Sequence, residues 1–202
     1  MIAIIDYGVG NLFSLSSSLS YLGLENQVTG SAEDLARADR LILPGVGAFG
    51  DAAEKLRAAG LVEAVQKKVE QGAPMLGICL GMQLLFDKSF EYGEHKGLGL
   101  IQGEVCPLQD DLTPPLKVPH IGWNSLDIVR DDPIFKYIQS GDYVYYVHSF
   151  YAKRCEESTL ATSRYGVDVT GVVRRGKVYG MQFHPEKSGQ VGLNLLKAFS
   201  EL

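Results

Sequence analysis

The tightest conformational constraint in this chain lies at Gly77-Ile78-Cys79-Leu80-Gly81. A short apolar run, Met75-Leu76-Gly77-Ile78, enters it, and a helical pattern, Leu80-Gly81-Met82-Gln83-Leu84-Leu85-Phe86, leaves it. A glycine two residues to either side of a nucleophilic residue type marks a strand that turns sharply into a helix, pushing the central side chain out of the sheet. Both glycines have a steric cause, since a Cβ at either place would press on the neighbouring strand or helix. The bend sets the cysteine at a helix N-terminus, where free N–H groups and the positive dipole end favour a thiolate. Read alone, the segment leaves two outcomes open: a nucleophile elbow, or a small cysteine packed between a core strand and a core helix.

An elbow needs a sheet around it, and the order of elements predicts one. Ile2 to Asp6 is an apolar run ending in the glycine-rich turn Asp6-Tyr7-Gly8-Val9-Gly10-Asn11, and Leu12, Leu15, Leu19 and Leu22 follow at helical spacing. Gly8-Val9-Gly10 is half of a dinucleotide fingerprint, but Phe13 stands where its last glycine belongs, so a plain tight turn is expected. Val28 to Asp39 reads as a short strand and helix. Leu41-Ile42-Leu43 reads as a buried strand running into Pro44-Gly45-Val46-Gly47-Ala48-Phe49-Gly50. Two helices, Ala52 to Ala59 and Leu61 to Gln71, break at Gly60 ahead of the elbow strand. Alternating strands and helices predict an α/β fold, a doubly wound and mostly parallel sheet with helices on both faces. Ligands of such sheets bind at the carboxyl ends of the strands, where Asn11, Val46 and Cys79 would lie.

The second half is β-rich. Strands are predicted at Leu100 to Val105, Ile121 to Val129, Tyr143 to Val147, Ser158 to Tyr165, Val169 to Val173 and Lys177 to Phe183, with a closing amphipathic helix from Gly189 to Leu202. The proline-rich stretch between Cys106 and Pro119 is expected as a surface loop, and His95 as an exposed residue of a polar turn. No linker divides the chain, so 1–202 is expected to be a single domain. With 46% hydrophobic and 21% charged residues, the composition is that of a globular protein. The net charge of −5 argues against nucleic acid or an anionic membrane as partner. No apolar run approaches the ~18 residues of a membrane span, and the N-terminus lacks a basic leader, so a cytoplasmic address is expected. Three widely spaced cysteines, Cys79, Cys106 and Cys155, exclude a framework with every cysteine paired and give no metal-site spacing. Cys106 and Cys155 have no basic neighbour or elbow and are expected to be unreactive.

Gln182-Phe183-His184-Pro185-Glu186-Lys187 gives the elbow its chemistry. Residues two apart on extended backbone point the same way, so Glu186 can meet the imidazole of His184. A carboxylate on one ring nitrogen fixes the tautomer and stabilises the imidazolium, leaving the other nitrogen for a thiol. Pro185 stiffens the pair.

With that constellation the chain resembles the class I glutamine amidotransferases, which use a Cys-His-Glu triad on a flavodoxin-like fold. The resemblance spans nearly the whole chain. It rests on Leu43-Pro44-Gly45-Val46-Gly47-Ala48-Phe49-Gly50, on the elbow through Gln83, on His120-Ile121-Gly122-Trp123-Asn124, on Tyr145-Tyr146-Val147-His148-Ser149-Phe150 and on Gln182 to Ser188. The second and last mark the superfamily. The first and third narrow the match to members that serve as glutaminase subunits beside a (β/α)₈-barrel cyclase in histidine biosynthesis. The anthranilate and guanylate types share the elbow and the His-Pro-Glu run but lack the third segment. A stand-alone γ-glutamyl thiol hydrolase would need no partner.

The resemblance implies that Cys79 attacks the side-chain amide of L-glutamine, that His184 moves the protons and that Glu186 orients His184. It implies an oxyanion hole from Leu80 and the Val46-Gly47 loop, a loop expected to rest misdirected until the partner is loaded. Gly47, Gln83, His148, Ser149 and Phe150 would hold the substrate, and Asn11, His120, Trp123, Tyr145 and Lys187 would face the partner. No cofactor and no metal are implied.

Overall fold

The computed structural model describes residues 1–113 and 116–202. Strand β1 (Ile2–Ile5) is followed by α1 (Leu12–Tyr21), β2 (Asn26–Thr29), α2 (Ala32–Arg37), β3 (Arg40–Leu43), α3 (Phe49–Ala58), α4 (Val62–Glu70), β4 (Met75–Ile78) and the short α5 (Leu80–Gln83). The second half holds β5 (Lys88–Ser89), β6 (His95–Lys96), β7 (Glu104–Pro107), β8 (His120–Ser125), β9 (Asp127–Ile128), β10 (Tyr143–His148) and β11 (Phe150–Lys153). It closes with β12 (Thr159–Tyr165), β13 (Val167–Arg175), β14 (Val178–Met181) and α6 (Gly189–Ser200).

The principal sheet runs β2-β1-β3-β4-β14-β13-β12-β9. Its pairings are parallel from β2 through β14 and antiparallel from there to β9. Strands buried on both faces read as unbroken apolar runs, as Ile2-Ala3-Ile4-Ile5 and Leu41-Ile42-Leu43 do. Alternate residues serve opposite faces. Ala3, Ile5, Leu41, Leu43 and Met75 pack with Leu35, Phe49, Leu56 and Val65 of the helices on one side. Ile2, Ile4, Ile42, Leu76 and Ile78 pack with Leu15, Leu19, Leu195, Leu196 and Phe199 of α1 and α6 on the other. The expected fold class is the observed one. A ribbon of β8 and β10 and a small sheet ordered β11-β7-β5-β6 stand beside the principal sheet.

The structure corrects several local expectations. The helix predicted through Phe86 stops at Gln83, because the carbonyls of Leu84, Leu85 and Phe86 accept the N–H groups of Leu98, Gly99, Leu100 and Ile101. The same bonds occupy the start of the predicted strand at Leu100, and β7 begins only at Glu104. The strand expected over Ile121 to Val129 divides, β8 pairing with β10 and β9 joining β12. Phe150–Lys153 is a strand that the sequence reading did not anticipate. The stretch from Cys106 is no simple surface loop: Cys106 and Pro107 belong to β7, and Leu108 and Leu112 are buried with Tyr151 and Val169. Pro114 and Pro115 of that stretch lie outside the described residues. His95 is partly covered, its ring so close to Gly50 that a Cβ there would stand 2.7 Å away. No helix among the described residues is long and apolar enough to cross a membrane.

Candidate active site

The carboxyl ends of β3, β4 and β14 meet at one place because those strands are neighbours in the sheet. Ile78 pairs with Met181 across β4 and β14, and the Cys79 N–H donates to the Met181 carbonyl at 2.7 Å. Cys79 itself has φ 54° and ψ −113°, a region that costs a residue with a Cβ of order 1–3 kcal/mol and persists only where the surroundings enforce it. The flanking glycines show what enforces it. A Cβ on Gly77 would lie 2.6 Å from the Gly81 carbonyl oxygen, and one on Gly81 would lie 1.8 Å from that of Leu43. Helix α5 is therefore pressed against the end of β3, and a Cβ on Gly45 of the following loop would stand 2.8 Å from the Gly81 nitrogen.

His184 is 2% exposed. Its Nδ1 lies 2.8 Å from Glu186 Oε1, and both side chains are 3% exposed. The backbone is clamped from two sides: the His184 N–H donates to the Tyr145 carbonyl, and the Ser188 hydroxyl bonds the His184 carbonyl while accepting the Tyr145 N–H. Burial alone would pull the imidazole down, but hydrogen bonds to Cys79 and Glu186 outweigh it and raise His184 to about 10. Asn11, expected at a partner face, brings Nδ2 to 3.5 Å from Glu186 Oε1, while Glu186 Oε2 is buried without a hydrogen-bond partner among the described residues.

Cys79, Leu80, His184, Val46, Gly47, Gln83, His148, Ser149, Phe150 and Lys187 all line one cavity of about 320 Å³. Gly47 has φ +95° and free space around its Cα, so the loop's conformation, not its packing, is what asks for glycine there. Gln83 is not a solvated helix residue: it is buried, and its Nε2 donates to the Phe150 carbonyl and to Gln182 Oε1, each at 3.0 Å. The remaining expected face residues separate. Trp123 is exposed on β8, paired with half-buried Tyr145 on β10, and their rings meet edge to face at 6.0 Å. His120 does not belong to that face. It is 3% exposed, sandwiched between the rings of Tyr146 and Tyr165, with no surface to offer a partner.

Three side chains at the site were given no role by sequence reasoning. Gln182 stands directly ahead of Phe183-His184 and is fully buried, with its Nε2 donating toward Cys79 Sγ at 3.9 Å. Ser188 clamps His184 as described. Glu91 lines the cavity, and its Oε2 accepts the Phe49 N–H at the start of α3 at 2.7 Å. Burial pushes that carboxyl up, and the bond from Phe49 opposes the shift. Glu91 sits in a polar turn with no periodicity, so only its place in the fold reveals it. Burial raises the thiols of Cys106 and Cys155.

A strained thiol at a strand-to-helix bend, a buried His-Glu pair beside it and a glycine loop across the cavity define a thiol amidotransferase-type site. The family model for class I glutamine amidotransferases matches residues 3–200. Imidazole glycerol phosphate synthase subunit HisH of Listeria innocua is 50% identical over the whole of this chain and 96% of its own length. The subunit of the same name from Caldanaerobacter subterraneus is 47% identical over 100% of this chain and 98% of its own. A crystal structure of a glutamine amidotransferase superposes with TM-score 0.77 at 24% identity, covering 99% of this chain and 97% of that one. The chain belongs to the class I glutamine amidotransferases and, within them, to the family of imidazole glycerol phosphate synthase HisH subunits.

Proposed function

We propose that this chain hydrolyses L-glutamine to glutamate and ammonia, and that it supplies the ammonia to a (β/α)₈-barrel cyclase subunit making imidazole glycerol phosphate. The observation that carries the reading is that Cys79 and His184 line one cavity of small-molecule size, with Glu186 bonded to His184 behind it. Cys79 Sγ attacks the side-chain amide carbon, and the oxyanion takes hydrogen bonds from the Leu80 N–H and an N–H of the Val46-Gly47 loop. His184 takes the thiol proton as the sulfur attacks and gives it to the departing ammonia. The γ-glutamyl thioester left on Cys79 is then hydrolysed by water that His184 deprotonates. Glu186 holds the ring in place throughout and keeps its charge compensated.

Gly47, Gln83 and the backbone of His148, Ser149 and Phe150 hold the amino-acid end of the substrate. We add Glu91 to this set, as the one carboxylate lining the cavity among the described residues and hence the natural partner of an α-ammonium group. Trp123, Tyr145 and Lys187 face the partner, and Asn11 joins that face to the triad. The apolar surface at Ile121, Trp123 and Tyr143, each more than half exposed, suits a subunit contact. The synthase reading rests on the full-length identity to HisH subunits and points to the cytoplasm, as one domain with no cofactor.

The test is Cys79→Ala assayed with the barrel cyclase. Glutamine-dependent synthesis is abolished, while the complex still uses added ammonium. Loss of both activities, or survival of glutamate release, overturns the assignment.

A further inference from the structure

Two buried histidines take no step in the chemistry above. His120 and His148 are 3% and 6% exposed and stand opposite each other in the β8–β10 register. Every ring nitrogen of the pair has a neighbour. His148 Nδ1 lies 2.9 Å from the Phe150 carbonyl oxygen, His148 Nε2 lies 2.9 Å from His120 Nδ1, and His120 Nε2 lies 3.3 Å from Asn124 Nδ2. A carbonyl only accepts, so His148 carries its hydrogen on Nδ1. Burial holds both rings neutral, His148 at about 3 and His120 at about 4. His148 Nε2 is then a bare lone pair and must accept from His120 Nδ1–H, which leaves His120 Nε2 to accept from the Asn124 amide. One carbonyl thus sets the direction of the whole chain, from Asn124 to His120 to His148 to Phe150.

The inner end of that chain is in the glutamine site. The Phe150 carbonyl also accepts Gln83 Nε2, Gln83 Nε2 bonds Gln182 Oε1, and Gln182 Nε2 points at Cys79 Sγ. The outer end is Asn124, next to exposed Trp123 on β8, where the Asn124 amide also bonds the Arg164 carbonyl. The stack of His120 between Tyr146 and Tyr165, 4.7 and 4.0 Å between ring centroids, holds its plane.

We propose that His120 is a positioning residue for the glutamine site: through His148 it fixes the Phe150 carbonyl, and with it the His148-Ser149-Phe150 wall, relative to the outer β8 face. The inference deepens the glutaminase reading and rests on it for the identity of the ligand. Removing the donor from His120 leaves His148 Nε2 buried and unpaired. The wall loosens, and the loss appears in substrate binding and not at the thiol.

The test uses the full chain in complex with its cyclase. His120→Phe keeps a flat ring in the stack but has no donor, whereas His120→Asn places an amide N–H near the position of Nδ1. His120→Phe is expected to raise KM for glutamine roughly tenfold with kcat within about twofold, and His120→Asn to recover most of the loss. Equal KM values for the two variants would assign the effect to packing and overturn the proposal, as would a fall in kcat at unchanged KM. Nitrogen-15 NMR of the unmodified chain supplies a readout independent of turnover and of variant folding. Both rings must show the Nδ1–H tautomer, and an Nε2–H signal from His148 refutes the relay. If the unmodified complex released no glutamate at all, the glutaminase reading would fail while the tautomer result still reported on the relay.

Discussion

Replacing Gly81 with alanine would test how the elbow is held. The added Cβ would stand 1.8 Å from the Leu43 carbonyl oxygen and 2.7 Å from its carbon. Carbon and oxygen settle no closer than about 3.3 Å, so α5 and the end of β3 would have to part by ~1.5 Å. Overpacking of this kind costs about 1–3 kcal/mol, and the upper end applies because the obstacle is backbone that no rotamer change can move. For a chain of 202 residues, about 3 kcal/mol lowers Tm by roughly 6–12 °C. The same displacement carries the Leu80 N–H away from the Val46-Gly47 loop, and a misplacement of ~1 Å costs on the order of 100-fold in rate. Gly141→Ala, outside the cavity, is the open-space comparison, since nothing lies within 4 Å of its Cβ position and only the φ of +93° is strained. Thermal melts and glutamate release in the complex measure both effects. A Gly81→Ala protein with Tm within ~2 °C of wild type and full turnover would refute the steric account of the elbow.

Two further outcomes follow from buried charge. Glu91→Gln keeps an acceptor for the Phe49 N–H but removes the charge, so KM for glutamine should rise ~10- to 100-fold, the worth of a charge-assisted bond; unchanged KM would exclude Glu91 from ammonium binding. His120 and His148 have folded pKa values of about 4 and about 3, below the ordinary 6.5. Their contribution is therefore whole above pH ~6.5 and declines as pH falls toward those values, because the unfolded chain takes up protons first. Below pH ~6 each should steepen the loss by about 1.4 kcal/mol per pH unit. Urea midpoints from pH 7 to 4.5 should fall less steeply for His120→Phe than for wild type, and parallel profiles would contradict the burial assignment.

The parts of the site legible in the sequence were those with short-range rules. The glycines around Cys79 follow from sterics within five residues, and the His184-Glu186 pair follows from the two-residue repeat of extended chain. What stayed hidden depends on contacts between distant segments. Helix α5 ends early because residues 98–101 take the carbonyls of Leu84, Leu85 and Phe86 that would carry it on, and nothing between Leu80 and Phe86 announces that competition. Glu91 reaches the cavity only because its turn folds onto the start of α3. His120 illustrates the converse: its surrounding segment marks a family, but the alternation along β8 that exposes Ile121 and Trp123 turns His120 inward. Applied from Trp123, that alternation puts His120 on the covered side, where Tyr165 of another sheet stacks on it.

The position of β14 bears on how the molecule comes to be active during synthesis. It is the last strand along the described residues, yet it enters the middle of the sheet between β4 and β13. Until it does, the thiol of Cys79 has neither its imidazole nor the Met181 carbonyl that holds its own N–H. Pairings so distant along the chain form late, after the entropy of closing the intervening loop is overcome. An emerging or half-folded chain therefore holds Cys79 apart from His184. Hydrolytic competence arrives together with the final closure of the core, so catalysis itself reports completion of the fold.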